Sequence, residues 1–201
     1  MPVPAGSKGQ LRASDGLEEL DVKVAERIGR YRERSDVRAL KAMSQAADQG
    51  PCFSLCIGLA GFGMLTRKPE LAEAGARMLA STLLGTAIKS ALKNTVSRTR
   101  PKVLLDDGFY DVRVGGPQEG DWHSFPSGHT VDAVAAAAAF IRVFPAQRLP
   151  ATAVASAFSL VQIPAARHYP LDVAAGTAVG LLSEAVVNQG TKWLKRQLAS
   201  R

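Results

Sequence analysis

Five apolar stretches, separated by polar segments, constrain the fold of this chain more than any other feature. They lie near residues 51–66, 76–93, 130–145, 149–166 and 171–188. Alanine and glycine are abundant, and aromatic residues make up only 6% of the chain. This composition favours close packing of helices over strands. We therefore predict an all-α fold in which the five stretches form a helical bundle.

The same stretches bear on whether the bundle lies in water or in a membrane. Residues 51–66 and 149–166 carry no charge, whereas the other three stretches include a charged residue near an end. A membrane-spanning helix needs about 20 mainly apolar residues, so these stretches are short and depend on long basic side chains that reach the interface. The mean hydropathy of +0.00 also suits a soluble helical bundle, which stays open as the alternative. We predict a membrane-embedded bundle of about five transmembrane helices.

The first 50 residues differ in character from the apolar core. Residues 1–14 are rich in Gly, Pro, Ser and basic groups and are predicted to be a mobile arm. An amphipathic helix follows, with an apolar stripe that packs against the bundle or lies on a membrane surface; its residues are Leu17, Leu20, Val24, Ile28 and Tyr31. No apolar signal segment is present, so we do not expect a secreted soluble protein. The predicted organisation is an arm and amphipathic helix over 1–50, a helical core over 51–190 and a basic tail over 191–201.

The formal net charge of +7 is compatible with nucleic acid, an anionic membrane surface or a phosphorylated substrate. No basic stripe interleaved with aromatic residues is present, so we do not predict a nucleic-acid partner. Cys52 and Cys56 lie four residues apart in an apolar stretch and share one helical face. We interpret them as small buried hydrophobes rather than redox or metal-binding groups.

Three polar clusters stand at ends of the apolar stretches: Lys93 with Arg100 and Pro101, the run Pro126 to His129, and His168 with Asp172. Two cations that keep their charge suit a bound phosphate, and a helix that starts with Ser–Gly offers backbone N–H groups to the same anion. Two histidines then remain for proton and phosphoryl transfer. If each apolar stretch crosses the bundle once, all three clusters lie on one face.

Residues near these clusters have simpler interpretations. The polar segment 101–124 is long and is a candidate lid or entrance. Taken singly, either motif histidine would be an ordinary hydrogen-bonded residue, and the functional interpretation depends on three clusters in register. We predict a rim position for His123, solvent or headgroup contacts for Arg98 and Lys102, and an interfacial or entrance role for Trp122 and Tyr169. Asp132 either orients His129 or favours the helix start by its negative charge.

The clusters resemble the motifs of the type 2 phosphatidic acid phosphatase family, metal-independent lipid phosphatases that share a catalytic core with bacterial acid phosphatases and vanadium haloperoxidases. Its first motif, Lys, six residues, Arg-Pro, is matched by Lys93, Arg100 and Pro101, and its second, Pro-Ser-Gly-His, by residues 126–129. The third is Ser-Arg, five residues, His, three residues, Asp. Its last two positions are His168 and Asp172, whereas the Ser-Arg positions hold Val161 and Gln162. The resemblance spans roughly residues 51–188.

The resemblance implies a role for each matched residue. His168 is the nucleophile that forms a phosphohistidine, Asp172 fixes its tautomer, and His129 protonates the leaving oxygen and then helps to activate water. Phosphate binding falls to Lys93, Arg100, Ser127 and Gly128, with Gln162 at the position of the family arginine and Arg167 as a neighbour that compensates for it. No metal ion and no cofactor are implied.

The predicted function is hydrolysis of a lipid phosphate or a polyprenyl diphosphate by a multi-pass protein of the cell membrane. A non-catalytic phospholipid-binding or scaffold protein is the alternative that Gln162 suggests, and vanadate-dependent peroxidation is a third possibility on the same pocket. Nine basic residues lie on the face away from the motifs, which favours a cytoplasmic C-terminus and an extracytoplasmic active site. Residues 1–50, on the motif face, also hold nine basic residues, interleaved with acids, and favour the reverse orientation. The pattern predicts neither the lipid nor an oligomeric state.

Overall fold

The computed structural model describes residues 16–117 and 120–200, and these residues form eight α-helices and a two-stranded sheet. In chain order the elements are α1 (Gly16–Gly29), α2 (Ser35–Ser44), α3 (Gln49–Leu65), α4 (Pro69–Thr95), β1 (Val96–Arg98), α5 (Pro101–Asp107), β2 (Val112–Val114), α6 (Gly128–Val143), α7 (Arg148–Leu160) and α8 (Pro170–Ala199). The predicted helical bundle is confirmed, and the small sheet is a feature that the sequence analysis did not predict. The predicted arm over 1–14 lies outside the described residues.

Each of the five apolar stretches forms a helix, namely α3, α4, α6, α7 and α8. Three bounds differ from the prediction, the first being the start of α4, which lies at Pro69 instead of near residue 76. Helix α7 ends at Leu160, because the chain turns through Pro164 and reaches a left-handed conformation at Ala166, with φ 54°. Helix α8 begins with a proline at its first position and continues to Ala199, beyond the predicted end near residue 188.

Helices α4, α6 and α8 pack against one another and form the centre of the bundle, while α3 packs on α4 and α6, and α7 packs on α6. Glycine allows α8 to approach α6 closely. A Cβ atom at Gly176 of α8 would lie 2.7 Å from the carbonyl oxygen of Ser127, at the start of α6. One turn later, a Cβ atom at Gly180 would lie 2.9 Å from the carbonyl oxygen of Val131. The first turn of α6 is therefore held directly against the α8 backbone.

The bundle presents large apolar side chains outward and small or polar ones inward. The exposed group includes Leu55, Ile57, Phe62, Leu83, Val154, Leu181, Leu182 and Val186, whereas the buried group includes Ser81, Thr82 and Ser183. Water disfavours a broad apolar exterior of this kind, and lipid does not. Among the described helices, α8 is long and apolar enough to cross a membrane, with a mean hydropathy of 1.4, and α3 is a shorter apolar helix.

The five core helices run in alternating directions. Helices α3, α6 and α8 begin at one end of the bundle, where α4 and α7 end, and we call this the site end. Lys93 in the last turn of α4, His129 in the first turn of α6 and His168 just before α8 all lie there. The predicted placement of the three motif clusters on one face agrees with this geometry.

The N-terminal segment forms two helices, and its buried face differs from the predicted one. Leu17 and Tyr31 of the predicted apolar stripe are 75% and 53% exposed, so these residues do not pack against the bundle, and the membrane-surface alternative stays a prediction. The face that packs consists of Asp21, Val22, Ala25 and Gly29. Small residues allow close approach on this side, since a Cβ atom at Gly29 would lie 2.8 Å from Leu105 Cδ1.

The described part of the polar segment predicted as a lid or entrance contains a helix and a strand, and its lid or entrance role stays a prediction. Helix α5 follows Arg100, and β1 pairs antiparallel with β2, with Val96 opposite Val114. Trp122 is buried edge-on against Phe109, with ring centroids 5.8 Å apart, so the entrance role predicted for this tryptophan is wrong. This small subdomain covers the site end and supplies several of the contacts described below.

Candidate active site

A polar cavity of about 310 Å³ lies at the site end and brings the three sequence motifs together. Its walls include Lys93, Arg100, Gly128, His129, Arg167 and His168 from the predicted set. Four further residues that matter for its charge or shape are Asp48, Gln49, Lys89 and Asp132. Four basic side chains therefore face a cavity that is large enough to hold a phosphate group.

His168 is buried, and its Nδ1 atom lies 2.7 Å from the carbonyl oxygen of Ser124. A carbonyl only accepts hydrogen bonds, so we assign the proton to Nδ1, which leaves the lone pair on Nε2. Burial lowers the pKa of His168 below its ordinary value. The ring is therefore kept in the neutral form that a nitrogen nucleophile requires.

The direct partner of His168 differs from the predicted one. Asp172 Oδ2 is 3.8 Å from His168 Nδ1, which is too long for a hydrogen bond. The tautomer is instead set by Ser124, and Asp172 lies beside the ring as a negative charge. Ser124 was missed in the sequence because it acts through its backbone carbonyl, which no side-chain motif records.

Asp172 is buried and accepts three hydrogen bonds. Ser124 Oγ donates to Oδ2 at 2.6 Å, the Tyr169 backbone N–H donates to Oδ2 at 2.9 Å, and Arg98 Nη1 donates to Oδ1 at 2.7 Å. Arg98 is only 4% exposed, so its predicted contact with solvent or headgroups was wrong. Tyr169 is also buried, under the Arg98 guanidinium at 4.0 Å from ring centroid, rather than at the entrance.

His129 faces an acidic partner that the motifs do not contain. Its Nε2 atom lies 2.7 Å from Asp48 Oδ1 at the start of α3, and 3.4 Å from Arg167 Nη1. The shorter contact assigns the Nε2 proton to a hydrogen bond with the carboxylate. Because Asp48 and His129 both line the cavity, this N–H group lies at the cavity wall, where a general acid would act. Asp48 lies well before the first motif in sequence, and nothing in its local pattern indicates the contact.

The cavity contains more positive than negative charge. Lys89 is paired with Asp132 at 2.9 Å, and Lys93 donates to the carbonyl of His123 at 2.8 Å. Arg100 Nε is buried without a hydrogen-bond partner among the described residues. Burial, and then the charge of Arg167, lower the pKa of Arg100. Such a group is stabilised when an anion enters.

Gln162 lies away from the cavity, which corrects the prediction that it contacts the phosphate. Its side chain is fully buried and donates from Nε2 to Ser44 Oγ at 3.1 Å and to the Phe158 carbonyl at 2.9 Å. Its backbone carbonyl accepts the N–H groups of Arg167 and His168 at 3.1 and 3.2 Å. Gln162 therefore shapes the turn, while Arg167 lies on the cavity wall.

Ser127 and Gly128 contribute differently from the prediction. The Ser127 hydroxyl is buried and accepts a hydrogen bond from Thr130 at 3.0 Å, and it is not on the cavity wall. Its backbone N–H donates to the Asp172 carbonyl at 3.0 Å, which ties the start of α6 to α8. Gly128 does line the cavity, where a Cβ atom would lie 3.3 Å from Lys89 Cδ.

Asp132 forms an ion pair with Lys89 and does not contact His129 by hydrogen bond, so the orienting role considered for it finds no support. Over residues 16–117 and 120–200, no group of three or more His, Cys, Asp or Glu side chains is placed to hold a metal ion. The absence of a metal requirement stays a prediction. Cys52 and Cys56 are buried among apolar side chains, as predicted.

Sequence comparison finds relatives of known activity. The chain is 31% identical over 140 residues to a lipid A 1-phosphatase of Rhizobium etli, a match that covers 64% of this chain and 59% of that protein. It is 31% identical over 131 residues to a lipid A 1-phosphatase of Rhizobium johnstonii, covering 61% of this chain and 52% of that protein. The match thus spans somewhat more than half the length of these relatives.

Two solved structures share the fold. LpxE of Aquifex aeolicus superposes with a TM-score of 0.58 at 22% identity, over 85% of this chain and 95% of that one. A transmembrane PAP2-type phosphatidylglycerolphosphate phosphatase of Bacillus subtilis superposes with a TM-score of 0.64 at 17% identity, over 92% of this chain and 90% of that one.

A family model provides the remaining comparison. It matches residues 74–196, a span that contains both motif histidines, Asp172 and the arginines of the cavity. The match covers more than half of the chain and runs from α4 to α8, the helices that build the site end. The chain therefore belongs to the PAP2 superfamily.

Proposed function

We propose that this protein is a phosphatase that hydrolyses a lipid phosphate through a phosphohistidine intermediate on His168. The observation that supports it most is the buried, neutral His168, whose Nδ1 proton is engaged by Ser124 while the ring lines a cavity of uncompensated positive charge. A nucleophile with a free lone pair and an anion site share one space. Family membership agrees with a phosphoric-ester hydrolase.

The proposed reaction has two steps. The lone pair on His168 Nε2 attacks phosphorus, an N–P bond forms, and the P–O bond to the lipid oxygen breaks while the imidazolium form of His129 gives that oxygen a proton and becomes neutral. Water then attacks phosphorus and gives a proton to His129, the N–P electrons return to Nε2, and inorganic phosphate leaves. The positive charge that develops on the phosphorylated ring is stabilised by the Ser124 carbonyl and by Asp172, 3.8 Å away.

Arg100, Arg167 and Lys93 provide the electrostatic part of the reaction. Their charges are directed at the cavity before substrate arrives, so little reorganisation is needed as negative charge builds on the equatorial oxygens. In the structure, Asp48 Oδ1 accepts the hydrogen bond from His129 Nε2. In the proposed reaction, the leaving oxygen takes the place of this carboxylate. The binding-protein alternative depended on Gln162, and Arg167 on the cavity wall removes that reason for it.

A lipid substrate is favoured by an apolar cavity of about 450 Å³ beside the polar one. The walls of the two cavities are neighbours in the chain: Asp48 and His129 line the polar cavity, and Ala47 and Ala133 line the apolar one. Ala133 lies one helical turn below His129, and Phe140 lies about two turns further along α6. A phosphate bound at His129 can therefore place its apolar tail between α3, α6 and α7.

The proposed location is the cell membrane, with the five core helices as spans. The outward apolar side chains form the surface that contacts lipid, and the site end lies at one interface. The opposite end carries basic residues at the α3–α4 turn, the start of α7 and the end of α8, namely Arg67, Lys68, Arg148, Lys192, Lys195 and Arg196. Because basic residues near spans favour the cytoplasm, the cavity is proposed to face the extracytoplasmic side.

We expect purified protein to release inorganic phosphate from a lipid phosphate in the presence of a metal chelator. His168→Ala removes the nucleophile and is expected to lower kcat by on the order of 10⁴-fold or more. Lipid A phosphate and phosphatidylglycerophosphate, named for the relatives, head the substrate panel, with phosphatidic acid and a polyprenyl diphosphate beside them. Turnover by His168→Ala that matches the unmodified protein would exclude the phosphohistidine mechanism.

A second prediction separates Arg167 from Gln162. Arg167→Ala is expected to lower kcat/KM by about 10²–10³-fold, because it removes a charge directed at the transferred phosphoryl group. Gln162→Ala is expected to keep kcat/KM within a few-fold and to lower stability by about 1–3 kcal/mol, since it deletes buried hydrogen bonds. Steady-state kinetics and thermal unfolding of both variants provide the measurement. A larger kinetic loss at Gln162 than at Arg167 would contradict the geometry.

A third prediction concerns the lipid tail. Ala133→Phe fills the apolar cavity and is expected to raise KM for a long-chain lipid phosphate by roughly tenfold or more, while a water-soluble phosphomonoester is hydrolysed as before. The matched control is Ala138→Phe, the same change on the same helix, which points into a second cavity on the other side of α6. Equal effects of the two variants on the long-chain substrate would show that the Ala133 cavity does not hold the tail.

A fourth prediction tests the orientation in the membrane. A fluorescent reporter fused after Arg201 is expected to be active in the cytoplasm, and an alkaline phosphatase fused at the same position is expected to be inactive there. Both fusions are made on the full chain and compared at equal expression. An active alkaline phosphatase fusion would place the cavity on the cytoplasmic side and change the pool of lipid that reaches it.

A further inference from the structure

Arg98 occupies the space beneath the catalytic centre without lining the cavity. Its Nη1 atom donates to Asp172 Oδ1 at 2.7 Å, and its Nη2 atom donates to Asp21 Oδ2 at 2.6 Å. The guanidinium lies over the Tyr169 ring at 4.0 Å from the centroid and also donates to the Tyr110 hydroxyl. One buried cation is thus shared between a carboxylate of the catalytic centre and a carboxylate of α1.

Arg98, Ser124 and Asp172 form a closed cycle of hydrogen bonds next to His168. The Arg98 carbonyl accepts the Ser124 N–H at 3.0 Å, Ser124 Oγ donates to Asp172 Oδ2, and Asp172 Oδ1 accepts a hydrogen bond from the Arg98 side chain. The Ser124 carbonyl, which accepts the His168 Nδ1 proton, is therefore positioned by a closed network. A shift of the Arg98 guanidinium moves Asp172 and Ser124 together, and His168 with them.

Asp21 anchors the other side of this cation. Its Oδ1 atom accepts the Leu171 backbone N–H at 2.8 Å, in the first turn of α8, while Oδ2 accepts from Arg98. Val22 and Ala25 pack on Tyr110 and Tyr169 in the same cluster, so the contact is fixed by apolar packing as well. Helix α1 lies before the residues matched by the family model, and no residue of it lines the polar cavity.

We propose that Asp21 and Arg98 are positioning residues, which hold Asp172 and Ser124, and through them His168, in the orientation required for attack on phosphorus. The inference rests on the proposed function. Without the Asp21 charge, the guanidinium re-centres on Asp172 and draws it away from Ser124 Oγ, which loosens the carbonyl that fixes His168. Helix α1 is in this sense part of the active site, although it does not touch substrate.

Asp21→Asn keeps the side-chain shape and removes the charge. We expect kcat to fall by about ten- to a hundredfold with KM nearly unchanged, because the cavity cations are untouched. Arg98→Lys keeps a charge but cannot span two carboxylates, so it is expected to lower kcat at least as much. Asp21→Glu keeps the carboxylate and is expected to have a kcat close to that of the unmodified protein. Glu19→Gln, an isosteric change on the exposed face of α1, is the matched control and is expected to leave kcat unchanged.

Two further measurements separate positioning from simple destabilisation. If Asp21 acts through Arg98, the double variant is no worse than Arg98→Lys alone, whereas independent structural effects add. In the full chain in micelles, nitrogen-15 NMR of histidine is expected to show a protected Nδ1 proton on His168, assigned by its loss in His168→Gln, which exchanges faster in Asp21→Asn.

The outcomes distinguish this inference from the proposed function. An unchanged kcat and an unchanged His168 signal in Asp21→Asn, or additive losses in the double variant, would overturn the positioning role while phosphate release continues. A loss of folding without a change of kcat per folded molecule would also overturn it. If the unmodified protein released no phosphate from any lipid, the proposed function would fail, and the NMR comparison would still decide whether Asp21 orients His168.

Discussion

The buried Arg98 guanidinium connects three separate elements of this protein, namely α1, β1 and α8. It pairs with Asp172 on α8 and Asp21 on α1, and its own strand, β1, brings the residues before α6 into register. Taking three charged groups out of water is costly, and removing one partner of a buried pair typically costs about 3–5 kcal/mol. The network is tolerated because nearly every lone pair and proton is used and because Tyr169 covers the cation. Its strict geometry is then transmitted to His168.

The cavity above this network differs from it, because the positive charges there are not all paired. Below it, one guanidinium is shared by two carboxylates, and each of these three charged groups is hydrogen-bonded. Above it, burial and then the charge of Arg167 lower the pKa of Arg100, and Arg100 Nε has no partner among the described residues. The repulsion is relieved only when an anion enters, and more so as that anion gains charge in the transition state. A rigid network beneath the proposed nucleophile and unsatisfied positive charge around it would therefore act together.

The sequence was sufficient for the helices and for the meeting of the three motifs, because apolar stretches of this length form helices and antiparallel helices return their ends to the same face. It was not sufficient for side-chain direction. The stripe from Leu17 to Tyr31 was assigned by its apolar period, but period alone does not say which face is inward when the exterior is also apolar. Gln162 was placed by motif register, yet the turn at Ala166 rotates Arg167 into the cavity instead. Ser124 and Asp48 act through long-range contacts that no local pattern contains.

The length of the core helices bears on how a lipid phosphate reaches His168. On α6, His129 and Arg142 are thirteen residues apart (142 − 129), which corresponds to about 20 Å, and α7 itself has 13 residues. Arg142 is paired with buried Glu184 at 2.8 Å and marks the far edge of the apolar band. A hydrocarbon core is about 30 Å thick, so in the proposed membrane setting the bilayer thins around the bundle or the basic side chains extend to its surface. In either case the polar cavity lies at the depth of the headgroups. A phosphate can then enter sideways between α3 and α6 while its tail moves into the apolar cavity and stays in lipid throughout.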